Sequence, residues 1–503
     1  MPRRDRASSS LGLGLFGLVF KAVAIVLMIG APLLGVWVAS SLAAFANRAT
    51  WLPLVAGLLL FPVLPLAWDG IGTLRARKST KKRFLTFGDR IVLRTLALNV
   101  VFLVGLLALY PTRAFVAISA RGDWMLDGHH SSLAERTRRA LMTSANALAW
   151  LYEAAHENPY RKKAEGDQHH PTPQPVPTSS ATVVPTSSAV PTSSAPVLPP
   201  SDTTQPAHEK APAARTYPVP ATLHPVVVSM PAEAEASIES VGRYIAEHEP
   251  DPWLRVKALH DYVADRIGYD AASYFAHRIP PEDGDAEAVF RSHKAVCAGY
   301  AALLEMLGKV TGDEIVYVVG DARSQLSPME AEGHAWNAVH ISGQWYLLDA
   351  TWDAGSTTRA GFTKKYTTEW LFTPASQFAI THFPDQAKWQ LLEHSIDRAE
   401  FFRRPVLAPT FFAYGLELVN PDRSQVAVPS ALDLALRNPS STWLMVDFQP
   451  KSGGSRTDCN GDGHTSFRCE FPGPGSYDVR LFANRQRYGT FEYAGSVEVN
   501  AQP

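Results

Sequence analysis

The stretch from His334 to Ala350 constrains this chain most. Ala335 to Ile341 and Gln344 to Ala350 both read as strands, and only Ser342-Gly343 separates them. A two-residue connection predicts a tight hairpin in which Ile341 pairs with Gln344. Side chains alternate along a strand, so counting back puts Trp336 opposite Asp349 and His334 on the same face as Trp336. His334 is then diagonal to Asp349, at roughly 7–8 Å between backbones, within side-chain reach. A register slip of one residue would put the two on opposite faces. Parity therefore predicts a His–Asp pair.

Cys297 lies upstream. It opens an apolar-periodic run of Tyr300, Leu303, Leu304, Leu307 and Val310, which reads as a helix with the thiol at or near its first turn. A helix N-terminus favours the thiolate, the reactive form. Nucleophile, base and orienting acid thus follow in the order Cys297, His334, Asp349, the set a thiol acyl-transfer enzyme needs. Each residue also has a plainer reading. Cys297 could be a buried structural thiol, His334 a structural histidine, and Asp349 a strand end or helix cap. Asp353 is a rival acid on the same face, farther along. Trp336 and Trp352 are read as walls of a cleft, with core packing as the alternative. Asn337 points to the other face.

These motifs resemble the transglutaminase-like core. So does the upstream helix from Trp253 to Asp270, with its stripe of Val256, Leu259, Val263 and Ile267, and so does the acidic stretch from Glu282 to Phe290. Thr381-His-Phe-Pro384, then Trp389-Gln-Leu-Leu392 and a β-rich tail, resemble the kyphoscoliosis-peptidase-like branch. The resemblance covers roughly residues 230 to 500. It implies a papain-like α+β domain whose catalytic Cys, His and Asp fall on Cys297, His334 and Asp349. It also implies that Cys297 meets the His–Asp pair, which parity alone does not show. No cofactor and no metal are expected.

The N-terminal part carries three long apolar runs, predicted as transmembrane helices at about 20–46, 51–68 and 91–110. Each approaches the roughly 20 residues needed to cross a bilayer. Arg3, Arg4 and Arg6 precede the first run. Arg75, Arg77, Lys78, Lys81, Lys82, Arg83 and Arg90 separate the second from the third. The positive-inside rule then places the N-terminus and this loop in the cytoplasm, and everything after Tyr110 outside. A cleaved signal peptide ending at Ala44-Phe45-Ala46 is the alternative, but the first run is long for one and two more follow. The chain has 47 basic and 48 acidic residues, a balance that argues against nucleic acid as a partner. The expected partners are the bilayer and an extracytoplasmic protein or cell-wall peptide.

After the membrane region (1–112), residues 113–162 read as a juxtamembrane amphipathic helix. Ser132-Leu-Ala-Glu135 resembles a capping box, and Leu141, Ala145, Leu148 and Tyr152 recur at helical spacing. Residues 163–217 repeat Val-Pro-Thr-Ser-Ser-Ala and read as a disordered linker. A catalytic domain is expected at 218–404 and an immunoglobulin-like β-sandwich at 405–503. Cys459 and Cys469 could pair in an oxidising compartment. Asp458, Asn460 and Asp462 match the first half of a calcium loop, but the twelfth position is Cys469, which favours a hairpin tip stapled by the two cysteines.

Three functions fit. The first is a membrane-anchored cysteine peptidase or amidohydrolase. The second is a transglutaminase that forms glutamine–lysine crosslinks. The third is a non-catalytic envelope scaffold or adhesion protein.

Overall fold

The computed structural model describes residues 26, 28–59, 63–76, 85–129, 131–156, 158–161, 217–324 and 329–502. The predicted linker lies outside these except for Tyr217. So do Arg3, Arg4, Arg6, Arg77, Lys78, Lys81, Lys82 and Arg83.

Among the described residues, two helices are long and apolar enough to cross a membrane: Met28–Phe45 (α1) and Phe87–Leu109 (α4). Helix α4 starts at a full capping box, in which Thr86 and Asp89 satisfy each other's backbone N–H groups. It leaves Leu93, Val100, Val101, Val104 and Leu109 each more than half exposed. A helix in a soluble core would bury such residues. The middle run does not yield a third helix of this kind. It forms the shorter helices Trp51–Leu58 (α2) and Leu64–Ala76 (α3). Residues 60–62 between them lie outside the described residues. Two of the three predicted spans thus have a candidate helix among the described residues, and the second is described only as these two shorter helices.

Helices Pro111–Arg121 (α5), Ser132–Asn146 (α6) and Ala149–Ala155 (α7) follow. The cap of α6 is Ser131, whose hydroxyl accepts the Ala134 N–H; Glu135 instead pairs with Arg138. Phe115 of α5 packs on Tyr152 and Phe402. The buried Asp123 accepts from Arg138 at 2.8 Å, Arg423 at 3.1 Å and Arg403 at 3.2 Å. One carboxylate thus ties α6 and the segment after α5 to segments near residues 403 and 423.

The central domain packs helices Ile238–His248 (α8), Pro252–Arg266 (α9) and Cys297–Thr311 (α10) against a five-stranded antiparallel sheet. Asp251 caps α9, with Pro252 at its first position. The predicted stripe Val256, Leu259, Val263 and Ile267 is buried in the core with Leu303, Leu304 and Leu307 of α10. The sheet comprises Glu314–Ala322 (β1), Glu332–Ile341 (β2), Gln344–Leu348 (β3), Leu371–Thr373 (β4) and His382–Pro384 (β5), in the order β4-β3-β2-β1-β5.

The β2–β3 hairpin has the predicted register, from Ile341 opposite Gln344 to Asn337 opposite Leu348. Ser342 and Gly343 both have positive φ, as a twisted two-residue turn requires. Strand β3 stops at Leu348, two residues earlier than predicted, because Asp349 starts the short helix Ala350–Ala354 (α11).

The C-terminal domain is two facing β-sheets. Trp443–Pro450, Gly475–Asn484 and Glu492–Ala501 form the centre of one, and Ala431–Arg437 with Ser466–Glu470 the centre of the other. Leu432, Leu434, Val446, Phe448, Val479 and Leu481 fill the space between. Cys459 and Cys469 form a disulfide.

Candidate active site

Cys297 is the first residue of α10, directly after the extended Val296. Its backbone N–H belongs to the first turn, where no helical carbonyl is available to it. Gly299 lets this turn approach the preceding loop: a Cβ there would lie 2.3 Å from the Asp283 carbonyl oxygen. Cys297 lines a cleft of about 540 Å³ together with Tyr269, Tyr274, Phe362, Glu332, His334 and Trp352 among others.

His334, near the start of β2, places Nε2 2.7 Å from Asp349 Oδ2. Cys297 acts electrostatically on the same ring, and with Nε2 on Asp349, Nδ1 is the nitrogen left for the thiol. Burial opposes the imidazolium, but the Asp349 carboxylate and then Cys297 outweigh it and lift His334 to about 10. Burial likewise opposes the Asp349 charge. His334 and His382 overcome it and hold the carboxyl well below the usual range.

The plainer reading of Asp349 and the sharper one coexist in its two oxygens. Oδ1 caps α11, accepting the N–H groups of Thr351 at 2.8 Å and Trp352 at 3.3 Å. Oδ2 faces His334. The early end of β3 makes this division necessary, since a carboxylate that starts a helix has one oxygen committed to backbone. The rival Asp353 is buried and occupied elsewhere. It accepts from the Thr367 hydroxyl and the Trp370 N–H, and lies 3.2 Å from His260 Nε2. Trp352 lines the cleft, with its ring 5.6 Å from His334. Trp336 lies buried against His334, 5.9 Å between ring centres, and packs on Phe378. Asn337 points the other way and donates to the carbonyls of Ala301 and Val316.

Two residues join this cluster that sequence reasoning gave no role. Tyr160 belongs to the same buried core cluster as Cys297; burial and then Cys297 push its hydroxyl above its ordinary range. Its segment crosses the sheet edge through Asn158, which donates to the Gly320 carbonyl at 2.6 Å, Arg161, which pairs with Asp385 at 2.8 Å, and His156, 3.0 Å from Asp321. No local pattern marks Tyr160, because its partner lies on the far side of the predicted linker. The second is His382, 3.2 Å from Asp349 Oδ2. Its motif had been noted only as a family resemblance.

His334, Asp349 and His382 carry donor types that can hold a metal, with donor atoms within 4.8 Å of one another. Both imidazole contacts go to the same Oδ2, at hydrogen-bond lengths. In the β-domain, Asp462 accepts the N–H groups of His464, Thr465 and Ser466, so the half calcium loop is a turn closed by its own acid.

Comparison with known proteins agrees with this architecture. Residues 239–350 match the transglutaminase-like superfamily core, and residues 398–502 match the KY-like, immunoglobulin-like domain. Kyphoscoliosis peptidase of Mus musculus is 29% identical over 213 residues, covering 40% of this chain and 31% of that protein. The Homo sapiens protein of the same name is 29% identical over 185 residues, covering 34% and 27%. Hillarin of Drosophila melanogaster is 23% identical over 182 residues, covering 30% and 22%. The chain spans less than a third of the length of these curated relatives. This chain thus carries a transglutaminase-like superfamily core followed by a KY-like, immunoglobulin-like domain, and with the likeness to kyphoscoliosis peptidase these matches support that superfamily and that branch.

Proposed function

We propose that this chain is a membrane-anchored thiol acyl-transfer enzyme working outside the cytoplasm, with hydrolysis of peptide or isopeptide bonds as its reaction. The observation that carries the proposal is that Cys297, at the start of α10, lines one cleft with His334, whose Nε2 lies 2.7 Å from the Asp349 carboxylate. In this reading the thiol proton already rests on His334 Nδ1, as the raised imidazole allows, and Sγ attacks the amide carbonyl carbon as the thiolate. N–H groups at the start of α10 hold the oxyanion. As the C–N bond breaks, the amine takes the proton from Nδ1, leaving a thioester on Cys297. Water then attacks, losing its proton to His334, and the acid leaves as the thiol is restored. Asp349 keeps the Nε2 proton in place throughout. A lysine amine entering instead of water would give a crosslink through the same thioester. The family resemblance to proteins named peptidases favours hydrolysis.

The anchoring rests on α1 and α4; the outward orientation further requires that the middle apolar run, which holds α2 and α3, also crosses, so that the Arg- and Lys-rich segment before α4 stays cytoplasmic. The substrate would be an envelope protein or a cell-wall peptide.

The test is alkylation of Cys297 by iodoacetamide at pH 6, read by peptide mapping of the full chain in detergent. Wild type should react much faster than His334→Ala. Equal rates would mean that the pair is not functional and would favour the scaffold reading. Casein with biotin-cadaverine then separates new peptide termini from amine incorporation.

A further inference from the structure

The Asp349 carboxylate is shared by two imidazoles, and the mechanism above uses only one. His382 opens β5, pairs in register with Ala322 of β1, and is buried. Four rings box it in: Phe378 at 4.0 Å, Trp352 at 4.5 Å, and Trp336 and Trp370 each at 5.1 Å between ring centres. Such a box offers no water to stabilise an imidazolium. A neutral imidazole has one N–H and one acceptor nitrogen. Nε2 lies 3.2 Å from Asp349 Oδ2, which is an acceptor only, so Nε2 must carry the proton. Nδ1 is then the acceptor, and the Thr381 hydroxyl lies 2.9 Å from it.

We infer that His382 is a positioning residue for the Cys297–His334–Asp349 site, an inference that rests on the thiol-enzyme reading. Its neutral Nε2–H donates to Asp349 Oδ2 and, with the two N–H groups on Oδ1, fixes the plane of the carboxylate. Asp349 then has one orientation in which to hold His334 Nε2–H, and Nδ1 is aimed at the sulfur. The Thr381 hydroxyl sets the tautomer of His382, as outer partners commonly do for functional imidazoles. Losing His382 would free Oδ2 to rotate about the capped Oδ1 and let the His334 ring drift from the thiol.

The experiment is the pH dependence of Cys297 alkylation in the full chain, comparing wild type with His382→Gln, His382→Phe, Thr381→Val and His334→Ala. Gln keeps an N–H donor but fills the ring box poorly, whereas Phe fills the box but donates nothing. The inference expects His382→Gln to stay near wild type and His382→Phe to lose about tenfold or more in rate at pH 6, the scale of a lost hydrogen bond to a charged group. A packing role predicts the reverse order, and Phe equal to or better than Gln would overturn the inference. If His382→Phe does not fold, Thr381→Val carries the test. It should slow alkylation several-fold, and a wild-type profile there would overturn the assignment. A wild-type rate in His334→Ala would bring down the underlying thiol-enzyme reading. Loss in His334→Ala with none in His382→Phe would bring down only the role of His382.

Discussion

Replacing Asp123 by asparagine should loosen the membrane-proximal helices from the rest of the protein. The carboxylate is fully buried and accepts from three guanidiniums, on Arg138, Arg403 and Arg423. Burial opposes its charge, yet Arg403 and Arg423 win and lower it from 3.8 to about 2. At 1.36 kcal/mol per pKa unit, that net preference is about 2.5 kcal/mol. A folded-state value below the unfolded one means the contribution is present above about pH 4 and is lost as pH falls through about 2. The variant also leaves three nearly buried guanidiniums without their anion, and removing one partner of a buried pair costs roughly 3–5 kcal/mol. The expected destabilisation at pH 7 is therefore roughly 2–5 kcal/mol, or a fall in Tm of about 5–15 °C. The assay is thermal unfolding in detergent followed by tryptophan fluorescence, with limited trypsin digestion reporting new cleavage at Arg136 and Arg139 of α6. Wild type and variant should converge as the pH is lowered towards 2. A Tm at pH 7 unchanged within error, with an unchanged digestion pattern, would refute the idea that this carboxylate holds the helices in place.

Further predictions concern the site and its support. In Asp349→Asn the amide can donate to His334 Nε2, which moves the ring proton to Nδ1, facing the sulfur; alkylation of Cys297 should drop to the His334→Ala level, and a wild-type rate would contradict the assigned geometry. His260 is raised to about 9 because Asp261 and Asp353 outweigh its burial. Its contribution is thus complete below about pH 6.5 and lost as pH rises through 9. The Tm of wild type should fall more steeply over that window than that of His260→Gln, and parallel curves would count against it. A protease site engineered within residues 163–216 should, once cut, leave the C-terminal fragment bound to the membrane portion, because Asn158, Arg161 and Asp123 all engage it. Release of that fragment in high-speed supernatants would show the opposite. Cys469→Ser, opening a disulfide loop with a sequence separation of 10, should cost about 2–3 kcal/mol in the β-domain. The rate of Cys297 alkylation should stay the same, and a changed rate would mean that the two domains are coupled.

The Cys297 helix start was legible from its periodicity. The His–Asp pairing was legible because a two-residue turn sets register and register sets parity. Asp349 was read as either cap or acid because sequence shows one residue and not its two oxygens. His382 sat in a noted motif, yet nothing local says which carboxylate it meets.

What the sequence determined by itself is local and periodic: the hairpin register, the stripe of α9, the first turn of α10 and the alternation of the β-domain strands. These follow from the backbone repeat, which acts over a few residues. The tertiary structure alone decided the rest. It set the two histidines on one carboxylate, Tyr160 in one core with Cys297 and three arginines on Asp123. Such contacts join segments far apart in the chain, and they depend on how whole layers pack, which no local spacing records.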